Sequence, residues 1–246
     1  MSAGPKAILF DLDDTILKFG DRRQLGISVA EEFASHLGPF SATEVGDAIE
    51  EFSQALWANE ANHKRWRFQM LEARIFIMES AFQTLRNRAP GLTPEIARQF
   101  GRRFHEIRDG DVACYPGALA TLDEFNRRGV LLALVTNGLA ESQRPKIERF
   151  DLQRRFKHIQ IESEIGFGKP EERAYRYAME TLGVQPAETW MVGDNLEWEV
   201  AAPQRLGIYS VWHDHKGAGL PRNSPVRPDR IVQSISELLA TACWQG

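Results

Sequence analysis

Four short clusters of polar residues carry groups able to do chemistry. Asp11-Leu12-Asp13-Asp14-Thr15 follows directly on the apolar run Ala7–Phe10, and Thr136-Asn137-Gly138 follows Val130–Val135. Gly168-Lys169-Pro170 precedes a helical pattern; Gly193-Asp194-Asn195 follows Trp190–Val192, with Glu199 five residues beyond Asp194. A carboxylate can attack an electrophilic centre and split one hard displacement into two easier ones, while a second carboxyl nearby delivers and removes protons. Lysine and hydroxyl groups can hold the oxygens of a transferring phosphoryl group. Taken singly each cluster is weak, since an acidic run suits a turn or helix cap, Thr-Asn-Gly a turn, and Lys before Pro a solvated side chain. Two alternatives fail outright. An EF-hand loop opening at Asp11 needs Gly and Glu where Ile16 and Arg22 stand, and a P-loop needs Gly and a hydroxyl residue where Ser163 and Pro170 stand.

The clusters share a position, and that raises their weight. Strands are expected at Ala7–Phe10, Val130–Val135, His158–Ile161, Trp190–Val192, Ile208–Trp212 and Arg230–Ile231. Between the later ones the periodicity is helical, over Gly117–Arg128, Arg144–Phe150, Glu171–Leu182, Glu197–Leu206 and Ser234–Ala242, with Lys169-Pro170 opening the third. Such alternation specifies an α/β fold, a parallel sheet with right-handed crossovers, whose ligands gather beyond the carboxyl ends of the strands. From Lys18 to Arg108 every strong stripe is helical instead: Leu25/Val29/Phe33/Leu37, Val45/Ile49/Phe52/Leu56, Trp66/Met70/Ala73/Ile77 and Ile96/Phe100/Phe104/Ile107. Ser41-x-x-Glu44 reads as a capping box, and Thr93-Pro94 as an N-cap followed by Pro at the first helical position. The expected organisation is a core of residues 1–17 and 109–246 with a helical segment, 18–108, inserted after the first strand.

In order and placement these four clusters resemble the motifs of the haloacid dehalogenase superfamily, in its phosphatase-type members with a helical cap, and the resemblance covers the whole chain. It implies a Rossmann-like core with an inserted all-helical cap domain, and an Mg²⁺-dependent phosphatase acting on a small phosphorylated metabolite such as a sugar phosphate or nucleotide. By the same resemblance Asp11 is the nucleophile that becomes an aspartyl phosphate, and Asp13 the acid and base. Mg²⁺ is held by the side chains of Asp11 and Asp194 and the main-chain carbonyl of Asp13, and the phosphoryl oxygens by Thr136, Asn137 and Lys169. The family commonly has Asp where this sequence has Glu199, a departure that bears on the outer shell of the metal. A phosphosugar mutase shares this core. A 2-haloacid dehalogenase fits less well, because it has no need of an acid at Asp13. A receiver-like phospho-acceptor module combines similar residue types, but is about half this length and has no helical insertion.

Composition excludes other classes. The 246 residues are 43% apolar and 26% charged, with net charge −4 and no basic block, so no nucleic-acid or anionic-membrane footprint is present. No apolar run approaches the ~20 residues of a membrane span, and Met1–Lys6 is not followed by a secretory apolar stretch. Two cysteines, Cys114 and Cys243, form no paired motif; they read as small buried groups in a cytoplasmic protein. Two segments stay open in function. Trp57, His63, Lys64, Arg65, Trp66 and Arg67 either face a substrate or form a solvated helix face with core aromatics. His213–Asp229, with His213 and His215, is expected to be a long surface loop rather than a metal site.

Overall fold

The computed structural model describes residues 4–240; Cys243 and the end of the expected last helix lie outside them. The chain divides into two compact units, Met1–Lys18 with Ala113–Gly246, and Phe19–Val112.

The first unit is built on a six-stranded parallel sheet. Its strands are β1 (Ala7–Phe10), β4 (Leu131–Thr136), β5 (His158–Ile161), β6 (Thr189–Gly193), β7 (Tyr209–His213) and β8 (Arg230–Val232), ordered β5-β4-β1-β6-β7-β8. Two three-residue strands, β2 (Leu17–Phe19) and β3 (Val112–Cys114), pair with each other apart from it. They are too short to give a two-residue period, so the sequence does not announce them. All four residues of β1 are fully buried, as expected of a central parallel strand covered on both faces. Ala7, Leu9, Ala133, Val135 and Met191 on one side of the sheet pack with Tyr175, Ala178 and Met179 of a covering helix.

Strand order reverses beside β1. The chain runs outward from β1 through β4 to β5, then returns to β6 on the other side of β1. Phe10 lies level with Leu134 and with Val192, and the Asp11 amide donates to the Val192 carbonyl at 3.0 Å. The residues that follow β1, β4 and β6 therefore open on one rim, at the crevice where open α/β sheets bind ligands.

The covering helices are α6 (Ala118–Arg127), α7 (Ala140–Arg149), α8 (Glu162–Ile165), α9 (Glu172–Leu182) and the short α10 (Ala202–Gln204). Three differ from the sequence expectation, and so does the described part of the expected last helix, which is a 3-10 helix over Ile235–Ala240. Helix α7 begins at Ala140 instead of Arg144, so Pro145 lies inside it. Pro170 does not open α9: Gly168–Glu171 is a turn closed by the Glu171 amide on the Gly168 carbonyl at 2.9 Å, and the helix starts at Glu172. The expected helix from Glu197 is a π-helical turn, Leu196–Ala201, running into α10.

The second unit is helical: α1 (Arg22–Glu32), α2 (Ala42–Trp57), α3 (Glu60–Trp66), α4 (Met70–Leu85) and α5 (Pro94–Gly110). Helix α5 runs to Gly110, past Arg108, where the helical segment was expected to end. Val29, Val45, Ile49, Ile77, Phe82, Phe100 and Phe104 form its core. The Ser41 hydroxyl accepts from the Glu44 amide at 3.2 Å while Glu44 accepts from the Ser41 amide at 2.8 Å, and Thr93 caps α5 with Pro94 at its first position. The Trp66 to Ile77 stripe is split between α3 and α4.

Candidate active site

Asp11 leaves β1 at the crevice, 8% exposed. The Lys169 ammonium, 1% exposed, donates to Asp11 Oδ1 at 2.5 Å and stands 2.7 Å from Glu199 Oε1. Burial works to lower the Lys169 pKa, but the carboxylates of Asp11 and Glu199 outweigh it and hold the ammonium protonated. Burial raises both Asp11 and Glu199, and Lys169 opposes the rise. Glu199 reaches this place because residue 193 is glycine: a Cβ there would lie 2.0 Å from Glu199 Cγ. The same carboxylate accepts from the Asn195 amide at 2.8 Å, and Asn195 in turn caps the π-helical turn, accepting from the amides of Glu197 and Trp198. The Tyr175 hydroxyl donates to the Trp198 carbonyl and fixes that turn from α9.

Lys169 is placed by its backbone. The Asn137 side chain donates to the Lys169 carbonyl at 2.7 Å and accepts from the Lys169 amide at 2.9 Å. A Cβ at Gly168 would fall 2.6 Å from Asn137 Oδ1 and 2.6 Å from Glu162 Cδ, so only glycine permits the approach. Thr136, at the end of β4, is buried, and its hydroxyl accepts from Gln143 Nε2 at 2.8 Å. Two residues that sequence reasoning missed hold Asp13: Gln143 Nε2 donates to Oδ2 at 2.9 Å, and Lys146 Nζ to Oδ1 and Oδ2 at 2.8 and 2.9 Å. The one sequence cue to them was their spacing of three on the helix that follows Thr136.

Negative charge is in excess at this rim. Burial, followed by the charges of Glu199, Asp11 and Asp14, holds the Asp194 carboxyl well above the usual carboxylate range. Two unit charges at ~4 Å repel by about 4 kcal/mol at an effective dielectric of ~20. Asp11 and Asp194 are hard oxygen donors close enough to feel each other's charge, and a hard divalent cation bound by such oxygens would relieve that repulsion. This donor set has only two side chains, few enough for an ion that keeps several waters; among the described residues no three acidic, His or Cys side chains form a metal cage.

His213 is not part of a surface loop. It ends β7, 1% exposed, with Nδ1 3.1 Å from the Asp14 carbonyl. A carbonyl only accepts, so Nδ1 carries the hydrogen. Asp14 has φ +57°, a left-handed backbone uncommon outside glycine. The Tyr115 ring stands edge-on to His213 at 4.9 Å, and His215 lies 5.7 Å away. Cys114 is half-buried on β3 rather than enclosed. In the helical unit Trp66 is buried and stacks on Phe76 at 5.5 Å, Arg65 lies over Trp66, and His63 Nε2 meets the Trp57 carbonyl at 2.8 Å. The aromatics of the Trp57–Arg67 stretch are thus used in packing.

Comparison with known proteins decides the family. The model of the haloacid dehalogenase-like hydrolases matches residues 5–207. The chain is a haloacid dehalogenase-like hydrolase. It is 34% identical to a phosphoserine phosphatase of Thermus thermophilus, over 95% of this chain and 97% of that protein. It is 26% identical to a glyceraldehyde 3-phosphate phosphatase of Methanopyrus kandleri, over 95% of each. Among solved structures it resembles the Bacillus subtilis HAD hydrolase YfnB, crystallised with magnesium, with a TM-score of 0.69 at 21% identity, covering 97% of this chain and 98% of that one. That likeness shows the shared HAD fold. The alignments to the two phosphatases each cover 95% of this hydrolase, and the Asp11, Thr136, Lys169 and Asp194 clusters all lie inside the matched residues 5–207.

Proposed function

We propose that this HAD hydrolase is an Mg²⁺-dependent phosphatase of small phosphomonoesters working through an aspartyl phosphate on Asp11. The observation that carries this is the buried Asp11 carboxylate at 2.5 Å from the Lys169 ammonium, on the rim that also holds Asp13, Thr136 and Asp194. Asp11 Oδ attacks phosphorus; the P–O bond to the alcohol breaks, and the alcohol takes a proton from Asp13. Water then attacks the phosphorus of the acyl phosphate and gives a proton to Asp13; the P–O bond to Asp11 breaks, the Asp11 carboxylate is restored and inorganic phosphate leaves. Lys169 and Thr136 hold the phosphoryl oxygens, with Asn137 acting through the Lys169 backbone. When bound by Asp11, Asp194 and the Asp13 carbonyl, Mg²⁺ supplies charge neutralisation for the crowded oxygens. Positioned proton transfer of this kind contributes about 10²–10⁴-fold, or roughly 3–5 kcal/mol of barrier.

The helical unit acts as the cap that selects the ester and excludes water. O-phosphoserine and glyceraldehyde 3-phosphate are the first substrates to test, given the relatives named above, and low cysteine usage suits a cytoplasmic enzyme. The decisive experiment measures phosphate release from these two esters and from an aryl phosphate, with Mg²⁺, with chelator, and in Asp11→Asn. Loss of turnover on chelation and in the variant is expected. Turnover that survives both refutes the proposal.

A further inference from the structure

The acid–base group of the proposed reaction is more open to solvent than the carboxylates of Asp11, 12% exposed, and Glu199. The Asp13 side chain is 32% exposed, whereas those of Lys169 and Glu199 are 1%. Packing alone does not hold it. What holds it is α7. Lys146, its side chain 13% exposed, donates from Nζ to both Asp13 oxygens and, at 2.8 Å, to Gln143 Oε1. With Oε1 engaged by a cation that can only donate, the Gln143 amide has a fixed orientation: its NH₂ points to Asp13 Oδ2 at 2.9 Å, Thr136 Oγ1 at 2.8 Å and the Asn137 carbonyl at 3.0 Å. Three acceptors meet two hydrogens, so the amide shares them across the Asp13 carboxylate, the Thr136 hydroxyl and the Asn137 carbonyl. Gln143 itself is 4% exposed, and an amide buried to that extent keeps its place only while its partners are present.

We propose that Gln143 and Lys146 are positioning residues that set the Asp13 carboxyl for proton transfer and couple it to Thr136. This rests on the phosphatase assignment above. Neither residue belongs to the four clusters that carry the family resemblance, and both act through Asp13 without touching the phosphoryl group. Their effect depends on how badly the departing alcohol needs a proton. An alkoxide leaving group needs one, while an aryloxide of low pKa leaves without it. The value of kcat/KM reports the steps up to release of the alcohol, so it isolates the acid role from later hydrolysis.

The test compares kcat/KM for an alkyl phosphate and for p-nitrophenyl phosphate in wild type, Asp13→Asn, Gln143→Leu, Lys146→Met and Lys146→Arg, with melting temperatures alongside. Gln143→Leu and Lys146→Met should lower the alkyl value by about tenfold or more and the aryl value by less than about threefold, reproducing the Asp13→Asn pattern in smaller measure. Lys146→Arg, which keeps the donors, should recover most of the loss. Equal losses on both esters, wild-type rates, or a gain in either variant overturn the brace while Asp13→Asn still shows its selective loss. Wild-type rates in Asp13→Asn overturn the phosphatase mechanism itself, and the brace with it.

Discussion

The Glu199 carboxylate ends 2.7 Å from the Lys169 ammonium, with both side chains 1% exposed. It arrives there across the face of Gly193, from a π-helical turn of the kind often found at functional sites. Glu199 thus serves as the second carboxylate on the lysine that meets Asp11, and its extra methylene relative to Asp is accommodated over a residue with no side chain.

That contact predicts a specific coupling. Gly193→Ala would force a Cβ to 2.0 Å from Glu199 Cγ, and overpacking of this sort costs about 3 kcal/mol. In a Glu199→Ala background the obstruction is reduced, so the same substitution should cost clearly less. Urea unfolding of the four proteins in the cycle measures the difference; an equal cost in both backgrounds refutes the contact.

Asp194 predicts how metal and pH interact. Its carboxyl is raised by burial first and by the neighbouring carboxylates of Glu199, Asp11 and Asp14 after it, while that of Asp11 is raised by burial against the opposing pull of Lys169. The folded protein therefore binds more protons than the unfolded chain between the ordinary carboxylate pKa and the raised one, and metal-free stability falls as pH rises through that window. Mg²⁺ competes with those protons, so the thermal shift it produces should be larger at pH 8 than at pH 5.5, approaching about 2.7 kcal/mol at a hundredfold excess over Kd. Asp194→Asn should raise the melting temperature of the metal-free protein and abolish most of the Mg²⁺ shift. A variant destabilised without metal yet still shifted by it contradicts the placement of Asp194.

His213 predicts a second pH effect of opposite sign. Burial first, with the nearby His215 adding to it, lowers its pKa, and the hydrogen bond to Asp14 opposes. The unfolded chain takes up a proton near pH 6.5 that the folded protein refuses, so this contribution is complete above that pH and is lost as pH falls below it. His213→Leu should remove that part of the slope and cost about 1–3 kcal/mol at pH 7.5 by removing the donor to the Asp14 carbonyl. His213→Asn, whose amide reproduces the Nδ1 donor, should recover much of the stability. Denaturant unfolding at pH 5.5 and 7.5 checks both, and an unchanged slope in His213→Leu refutes the assignment.

Local signals were legible where chemistry and periodicity coincide within a few residues. Ala7–Phe10 and His158–Ile161 are strands with the expected limits, and Ser41 and Thr93 cap the helices they were expected to open. Boundaries failed where a single residue type sent two messages. The helix expected from Arg144 starts at Ala140 with Pro145 inside it, and Pro170, expected to open a helix, sits in a turn. His213, between an apolar run and a Gly- and Pro-rich segment, reads as loop but ends β7.

From the residues alone come the α/β class, the helical insertion, and the carboxylate, hydroxyl and lysine clusters at strand ends, because each is written in neighbours or in a short period. Tertiary structure decided which of these groups meet. Asp13 finds Gln143 and Lys146 across 130 and 133 residues, Asp11 finds Lys169 across 158, and Asp14 finds His213 across 199. No local pattern encodes such pairs. Strand order and register bring them together, and the exclusion of water around them turns ordinary polar side chains into a site.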